Sequence, residues 1–139
     1  MNWTVRQASC VAIGARAVLI EGPPGSGKSS LALALIDRGA TLVGDDGVTL
    51  QTRAGQLWAW PPPNITGKLE IRNVGIIDLP TAAAPVALAL MLDPDAPRHV
   101  EAAEHVTIEG HEIPLLRLWP GSPVQALRAE WALRLYGLR

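Results

Sequence analysis

The stretch Gly22-Pro23-Pro24-Gly25-Ser26-Gly27-Lys28-Ser29 carries the spacing G-x-x-x-x-G-K-[ST] at every fixed position. Each fixed residue has a physical reason to be there. Glycines let the backbone take positive φ and curl around an anion, so that consecutive N–H groups point inward. A helix starting near Lys28 adds the partial positive charge of its N-terminus. Lys28 brings a mobile ammonium to the β- and γ-phosphates, and the Ser29 hydroxyl is a hard oxygen of the kind magnesium takes. The pattern predicts a cradle for a nucleoside triphosphate with magnesium, made by residues 22–29.

The flanking sequence supplies the strand and helix that such a loop needs. Residues 8–13 and 17–21 are small or β-branched and apolar, and the Gly14-Ala15-Arg16 turn between them predicts paired strands, the second entering the loop directly. After Lys28, Leu31, Leu33, Ala34, Leu35 and Ile36 lie among good helix formers, and Gly39 stops the helix. Further on, residues 41–43, 48–51 and 57–60 predict short strands and antiparallel hairpins, before Pro61-Pro62-Pro63-Asn64 breaks regular structure. The segment Leu69-Glu70-Ile71-Arg72-Asn73-Val74-Gly75-Ile76-Ile77-Asp78 holds no strict period, which predicts a functional loop running into a buried strand. Residues 86–92, bounded by Pro85 and Asp93-Pro94, predict a central strand; 105–108 and 113–118 predict a hairpin around Glu109-Gly110. The chain should end in a helix with Pro123 in its first turn, since Val124, Leu127, Trp131, Leu135 and Leu138 recur at helical spacing. Together these elements predict one α/β domain over residues 1–139: a P-loop (Walker A) nucleotide-binding domain with a mixed sheet and antiparallel hairpins.

Composition narrows the partners. A net charge of −1 with scattered basic residues marks the chain for neither nucleic acid nor an anionic membrane. A single cysteine, Cys10, excludes an internal disulfide framework and a cysteine-built zinc cluster, which fits a reducing compartment and predicts a cytoplasmic location. The start, Met1-Asn2-Trp3-Thr4-Val5-Arg6, lacks a basic stretch leading into an apolar one, so a soluble, unprocessed chain is expected. The balance of five tryptophans against no phenylalanine is read as core or interface packing. His99, His105 and His111 lack metal-ligand spacing.

Phosphoryl transfer also needs a carboxylate at the metal or at the attacking hydroxyl. By pattern alone Asp93, closing the long apolar run, is the better match, with the Asp45-Asp46 pair as the alternative. Both sit in turn-forming dipeptides, but two adjacent carboxylates repel, and a site that tolerates them usually has a cation or proton to place between them. Glu70 and Arg72 alternate with Leu69 and Ile71, so both charges can leave one face of an extended segment toward a shared pocket. Arg98, after Pro97, is a further candidate for contact with a transferring phosphoryl group.

Taken together, residues 22–29, the spacing to Gly39-Ala40-Thr41-Leu42-Val43-Gly44-Asp45-Asp46, and the segment 69–78 resemble HPr kinase/phosphorylase, in a short form like its C-terminal catalytic domain alone. The segment 69–78 is the most specific part of that resemblance. It implies an ATP- and Mg2+-dependent protein-serine kinase acting on the phosphocarrier HPr or a paralogue, reversible by phosphorolysis in many members, and oligomeric. Carried over residue by residue, it makes Lys28 the catalytic lysine, Ser29 and Glu70 magnesium positions, Asp46 the base toward the serine hydroxyl, and Arg98 the arginine of a loop between protomers. That carry-over favours Asp46 over Asp93. Gln7 stands where the family has histidine, Ser30 where an acid follows the loop serine, and Asn73 where the signature has glycine; the segment 119–124, matching one linked to dephosphorylation, lacks the expected arginines. Asparagine tolerates positive φ better than most residues. These departures keep a nucleotide-binding regulatory module open as an alternative; a small-molecule kinase would leave 69–78 unexplained.

Overall fold

A computed structural model describes residues 3–64 and 66–139. The part of the amino-terminal reading that rests on Met1 and Asn2 lies outside the described residues. In chain order the elements are β1 (Trp3–Arg6), β2 (Ser9–Ile13), β3 (Arg16–Glu21), α1 (Lys28–Asp37), β4 (Thr41–Gly44), β5 (Val48–Arg53), β6 (Gln56–Trp60), β7 (Lys68–Ile71), β8 (Gly75–Asp78), β9 (Ala84–Leu92), β10 (Glu104–Ile108), β11 (His111–Leu118) and α2 (Gln125–Tyr136).

Strands β3, β9 and β11 run parallel side by side; β2 pairs antiparallel with β3, β4 with β2, and β10 with β11. A second, antiparallel ribbon, β1-β5-β6, joins this mixed sheet where Trp58 and Ala59 of β6 pair with Pro85 and Ala84. Pro85 therefore lies inside β9 instead of bounding it, at the end of the strand where a missing ladder donor is tolerated. Tight turns fix the registers: Ala54-Gly55 and Glu109-Gly110 both hold positive φ at both positions, the geometry whose twist matches the flanking strands.

Side-chain alternation sends the mixed sheet's two faces into separate cores. Cys10, Ala12, Ala17, Leu19 and Ala89 pack against Val48, Leu50, Leu57 and Ala59 of the ribbon. Val11, Val18, Ile20, Leu88 and Leu90 pack against Leu31, Leu35, Ala129 and Leu133 of the helices. Each fully buried Leu or Ile here contributes about 1.5–3 kcal/mol relative to exposure. The result is helices on one face, mixed sheet in the middle, and ribbon on the other face; the mixed sheet with antiparallel hairpins is what the sequence predicted.

Two local expectations give way. The segment 69–78 contains no buried strand; β7 and β8 form a separate two-stranded hairpin with Leu69 buried and Val74 and Ile76 exposed. Helix α2 starts at Gln125, after Pro123, and the stripe Val124, Leu127, Trp131, Leu135 is exposed; Ala126, Ala129, Ala132 and Leu133 face the core instead. Small residues let α2 lie close to the sheet, which a stripe of large ones would prevent. No tryptophan is fully buried: Trp58 and Trp60 stack at a 5.9 Å centroid spacing on the ribbon, while Trp3, Trp119 and Trp131 are exposed.

Candidate functional site

Because β3, β4 and β9 run in the same direction, their carboxyl ends deliver residues 22–29, Asp45-Asp46 and Asp93 to one end of the sheet. That is the end at which open α/β sheets bind ligands. The loop after β3 is shaped by positive φ at Gly22, Gly25 and Gly27, with Gly27 capping α1. Only Gly22 is also sterically confined: a Cβ there would stand 2.6 Å from Ser26 Oγ and 3.2 Å from the Leu92 carbonyl oxygen of β9. Lys28 Nζ donates to the carbonyls of Gly22 (2.8 Å) and Pro23 (3.3 Å), so its ammonium lies folded back over the loop. No acidic residue stands in the first turn of α1, and its N-terminal partial charge is left for an anion.

The doubled acid divides its work. Asp45 Oδ1 accepts hydrogen bonds from Ser29 Oγ (2.6 Å) and from the buried Ser9 Oγ (3.0 Å). Asp46, at φ 62°, is exposed and lines the cleft. A register shift between β2 and β4 next to Cys10 turns the chain here. Gly44 must be glycine, because a Cβ would meet the Gly47 carbonyl oxygen at 2.1 Å. Asp93 is committed elsewhere: Oδ1 accepts from the Asp95 N–H (2.8 Å) and Oδ2 faces Arg117 Nη1 (3.3 Å). Pattern alone had favoured Asp93; the structure makes it a turn and ion-pair residue outside the cleft.

The β7–β8 hairpin closes the opposite wall. Its base is closed by the Leu79 N–H on the Gly67 carbonyl (2.8 Å) and by the Lys68–Asp78 ion pair, and a bridge from Thr81 to Leu42 ties the chain after it to the β4 edge. Asn73 turns its tip at φ 68°, so asparagine holds the left-handed conformation foreseen for it. Glu70 and Arg72 line the cleft together, as their alternation predicted, with Gln7, Ser30, Lys28 and Ser29 across from them. The cleft measures about 450 Å³, within the range of small-ligand sites. Arg6, paired with Glu21 at the end of β3, ties the end of β1 beside Gln7 to the loop; the bond to Glu21 raises its already high pKa. Arg98 is exposed on the connection between β9 and β10 and is not among the residues lining the cleft.

Among the described residues no three His, Cys, Asp or Glu side chains converge into a metal cage. Magnesium seldom needs one, being held by one or two carboxylates together with substrate phosphates. Ser29 with Asp45, and Glu70 across the cleft, are hard oxygen donors that fit that mode. The sequence offers Asp45 only as half of the Asp45-Asp46 pair; its approach to Ser9 and Ser29 exists only once β2, β4 and α1 are assembled.

The family described as HPr Serine kinase C-terminal domain matches residues 2–83, from the first strand through the hairpin. The chain belongs to this family. HPr kinase/phosphorylase of Streptococcus thermophilus is 36% identical over 115 residues, covering 73% of this chain and 37% of that protein. The Brevibacillus brevis HPr kinase/phosphorylase is 52% identical over 65 residues, covering 46% of this chain and 21% of that protein. The solved structure of the Hpr(Ser) kinase/phosphatase from Coxiella burnetii superposes with a TM-score of 0.79 at 28% identity, covering 95% of this chain and 92% of that one. The chain thus has the α/β fold of the HPr serine kinase C-terminal domain and spans well under half the length of these curated relatives. No helix among the described residues is long and apolar enough to cross a membrane.

Proposed function

We propose that the chain is an ATP-dependent protein-serine kinase whose substrate is a phosphocarrier of the HPr type. The observation that carries this reading is the convergence, on one cleft, of the phosphate loop with Lys28 and Ser29, the free carboxylate of Asp46, and the hairpin charges Glu70 and Arg72. Family membership supports a kinase acting on HPr.

In this reading the loop N–H groups and Lys28 hold the triphosphate, and Lys28 turns part of its ammonium from the loop carbonyls to the β- and γ-oxygens. Ser29, Asp45 and Glu70 are the residues that would hold Mg2+, which when bound neutralises phosphate charge. A serine hydroxyl enters between Asp46 and the γ-phosphate, and its oxygen bonds to phosphorus in line with the departing ADP oxygen. Its proton passes to Asp46, the one acid of the pair not engaged by serine hydroxyls. Arg72 faces the same space and balances charge on the transferring group. Phosphorolysis would run the same proton back from Asp46. Arg98, remote from this cleft, would act on a neighbouring protomer's site in an oligomer. Cytoplasmic action is compatible with the single buried thiol.

Incubating the chain with ATP, Mg2+ and HPr should give phosphoserine on HPr, read by mass spectrometry. A second reading, a nucleotide-binding module without turnover, is favoured by Gln7 lining the cleft where a proton-exchanging histidine would stand in the family. It predicts a nucleotide-dependent rise in melting temperature with no phosphorylated product, so measurable turnover excludes it.

A further inference from the structure

The connection from β9 to β10, residues 93–103, carries Arg98 and is held along most of its length. At its start the Asp93 N–H donates to the Leu118 carbonyl (2.9 Å), and the Ala96 N–H donates back to the Asp93 carbonyl (3.1 Å) to close a turn. One guanidinium serves both ends: Arg117 of β11 faces Asp93 and donates from Nε to Glu104 (2.8 Å). Nearer the middle, Trp119 Nε1 donates to the Ala96 carbonyl (2.6 Å) and Tyr136 Oη to the Val100 carbonyl (3.3 Å). The two pinned carbonyls stand two residues before and two residues after Arg98.

Between these pins Pro97, Arg98 and His99 are exposed, and the fixed φ of Pro97 leaves the short apex little freedom. Arg6, Arg38 and Arg117 pair with carboxylates, and Arg53, Arg128 and Arg134 lie over tryptophan rings. Among the described residues Arg98 has neither kind of partner. Packing alone does not account for the pins, since Trp119 is 42% exposed and its N–H could go to water instead of to Ala96. A free guanidinium on a backbone fixed at both shoulders is a group presented outward, with the ordering of its loop already done by the fold.

We propose that Trp119 and Tyr136 are positioning residues for phosphoryl transfer: they fix the shoulders of the β9–β10 connection so that Arg98 is presented to the transferring phosphoryl group in a second protomer's cleft. There the guanidinium balances charge and takes no proton. This rests on the kinase reading above, with Arg98 acting between protomers, and it adds what aims that arginine.

Single-turnover transfer from Mg-ATP to HPr, with nucleotide affinity measured beside it, tests this in Trp119→Phe, Tyr136→Phe and Arg98→Ala. Trp119→Phe keeps an aromatic ring and loses the donor; Tyr136→Phe loses only the hydroxyl and carries the test if phenylalanine at 119 unfolds the chain. Each should slow transfer, Trp119→Phe by about tenfold, with ATP affinity unchanged, and neither should slow it further once residue 98 is alanine. Co-expressing Trp119→Phe with Asp46→Asn should raise transfer above that of either alone, because Asp46→Asn protomers still present a well-aimed Arg98 to the other chain's intact cleft. Transfer at the wild-type rate in both phenylalanine variants, an equal further loss in the Arg98→Ala background, or no gain on co-expression overturns the positioning role while leaving the kinase reading intact. Arg98→Ala at the wild-type rate overturns it as well. A wild type that forms no phosphoserine overturns the kinase reading and this inference with it.

Discussion

Replacing Asp45 by alanine separates what that residue does for the fold from the proton transfer proposed for Asp46. Asp45 Oδ1 is the acceptor for Ser9 Oγ at 3.0 Å and Ser29 Oγ at 2.6 Å. Ser9 is 0% exposed, so its hydroxyl loses its acceptor where water cannot replace it, a cost of about 1–3 kcal/mol. Ser29 is half-buried and can turn to solvent, so its loss adds little. Asp45→Ala should therefore destabilise by about 1–3 kcal/mol, and Asp45→Asn, which keeps an acceptor oxygen, by roughly 1 kcal/mol or less. Urea unfolding followed by tryptophan fluorescence reads these values, provided the slopes agree among variants. Ser9→Ala should offset much of the loss, because the double variant no longer contains the stranded hydroxyl. The magnesium requirement for nucleotide binding should rise in Asp45→Ala, since Ser29 loses the carboxylate beside it. Asp45→Ala within about 0.5 kcal/mol of wild type, with unchanged magnesium dependence, refutes this placement of Asp45.

Other substitutions test the frame around the site. Leu133→Ala, in the helix-side core, should cost about 2–5 kcal/mol, whereas Leu135→Ser, on the exposed stripe of the same helix, should stay within about 0.5 kcal/mol; thermal melts separate them. Asn73→Val should loosen the β7–β8 hairpin by about 1–2 kcal/mol and Asn73→Gly should not, because φ is 68° at that tip; hydrogen exchange at Ile71 and Val74 reports the difference. Burial pushes the Cys10 thiol well above its ordinary value of 9.0, so it stays neutral and shielded at pH 8 and should react with a thiol reagent only when the chain unfolds. The unfolded thiol gives up its proton above pH 9.0 while the folded one keeps it, so stability should fall by about 1.4 kcal/mol per pH unit there, and Cys10→Ala should remove that slope.

What the sequence made legible was local. The phosphate loop, α1 and the apolar strands follow from glycine placement and short-range periodicity, and residues 22–29 fall where they were expected. The resemblance preferred Asp46 to Asp93; in the structure Asp46 lines the cleft and Asp93 is tied to Arg117. The failures share a cause in packing at a distance. Helix α2 shows a large-residue stripe at helical spacing, but the close approach of helix to sheet selects the alanine face, with Arg134 Cζ stacked 4.3 Å from the Trp131 ring centroid outside. The segment 69–78 gave no clear period because β7 has a buried partner only at Leu69, and β8 is mostly exposed. Strand β1, Trp3-Thr4-Val5-Arg6, alternates apolar and polar residues but is too short to stand out; it is largely exposed and held by its pairing with β5.

The central claim is that one cleft both holds the triphosphate and moves a proton through Asp46. Single-turnover transfer from Mg-ATP to HPr, measured beside nucleotide affinity in wild type and Asp46→Asn, addresses both halves at once. Phosphoserine should form with wild type and fall by about a hundredfold or more in Asp46→Asn, with ATP affinity unchanged. Transfer at the wild-type rate in Asp46→Asn, or no transfer by a wild type that binds ATP, would contradict it.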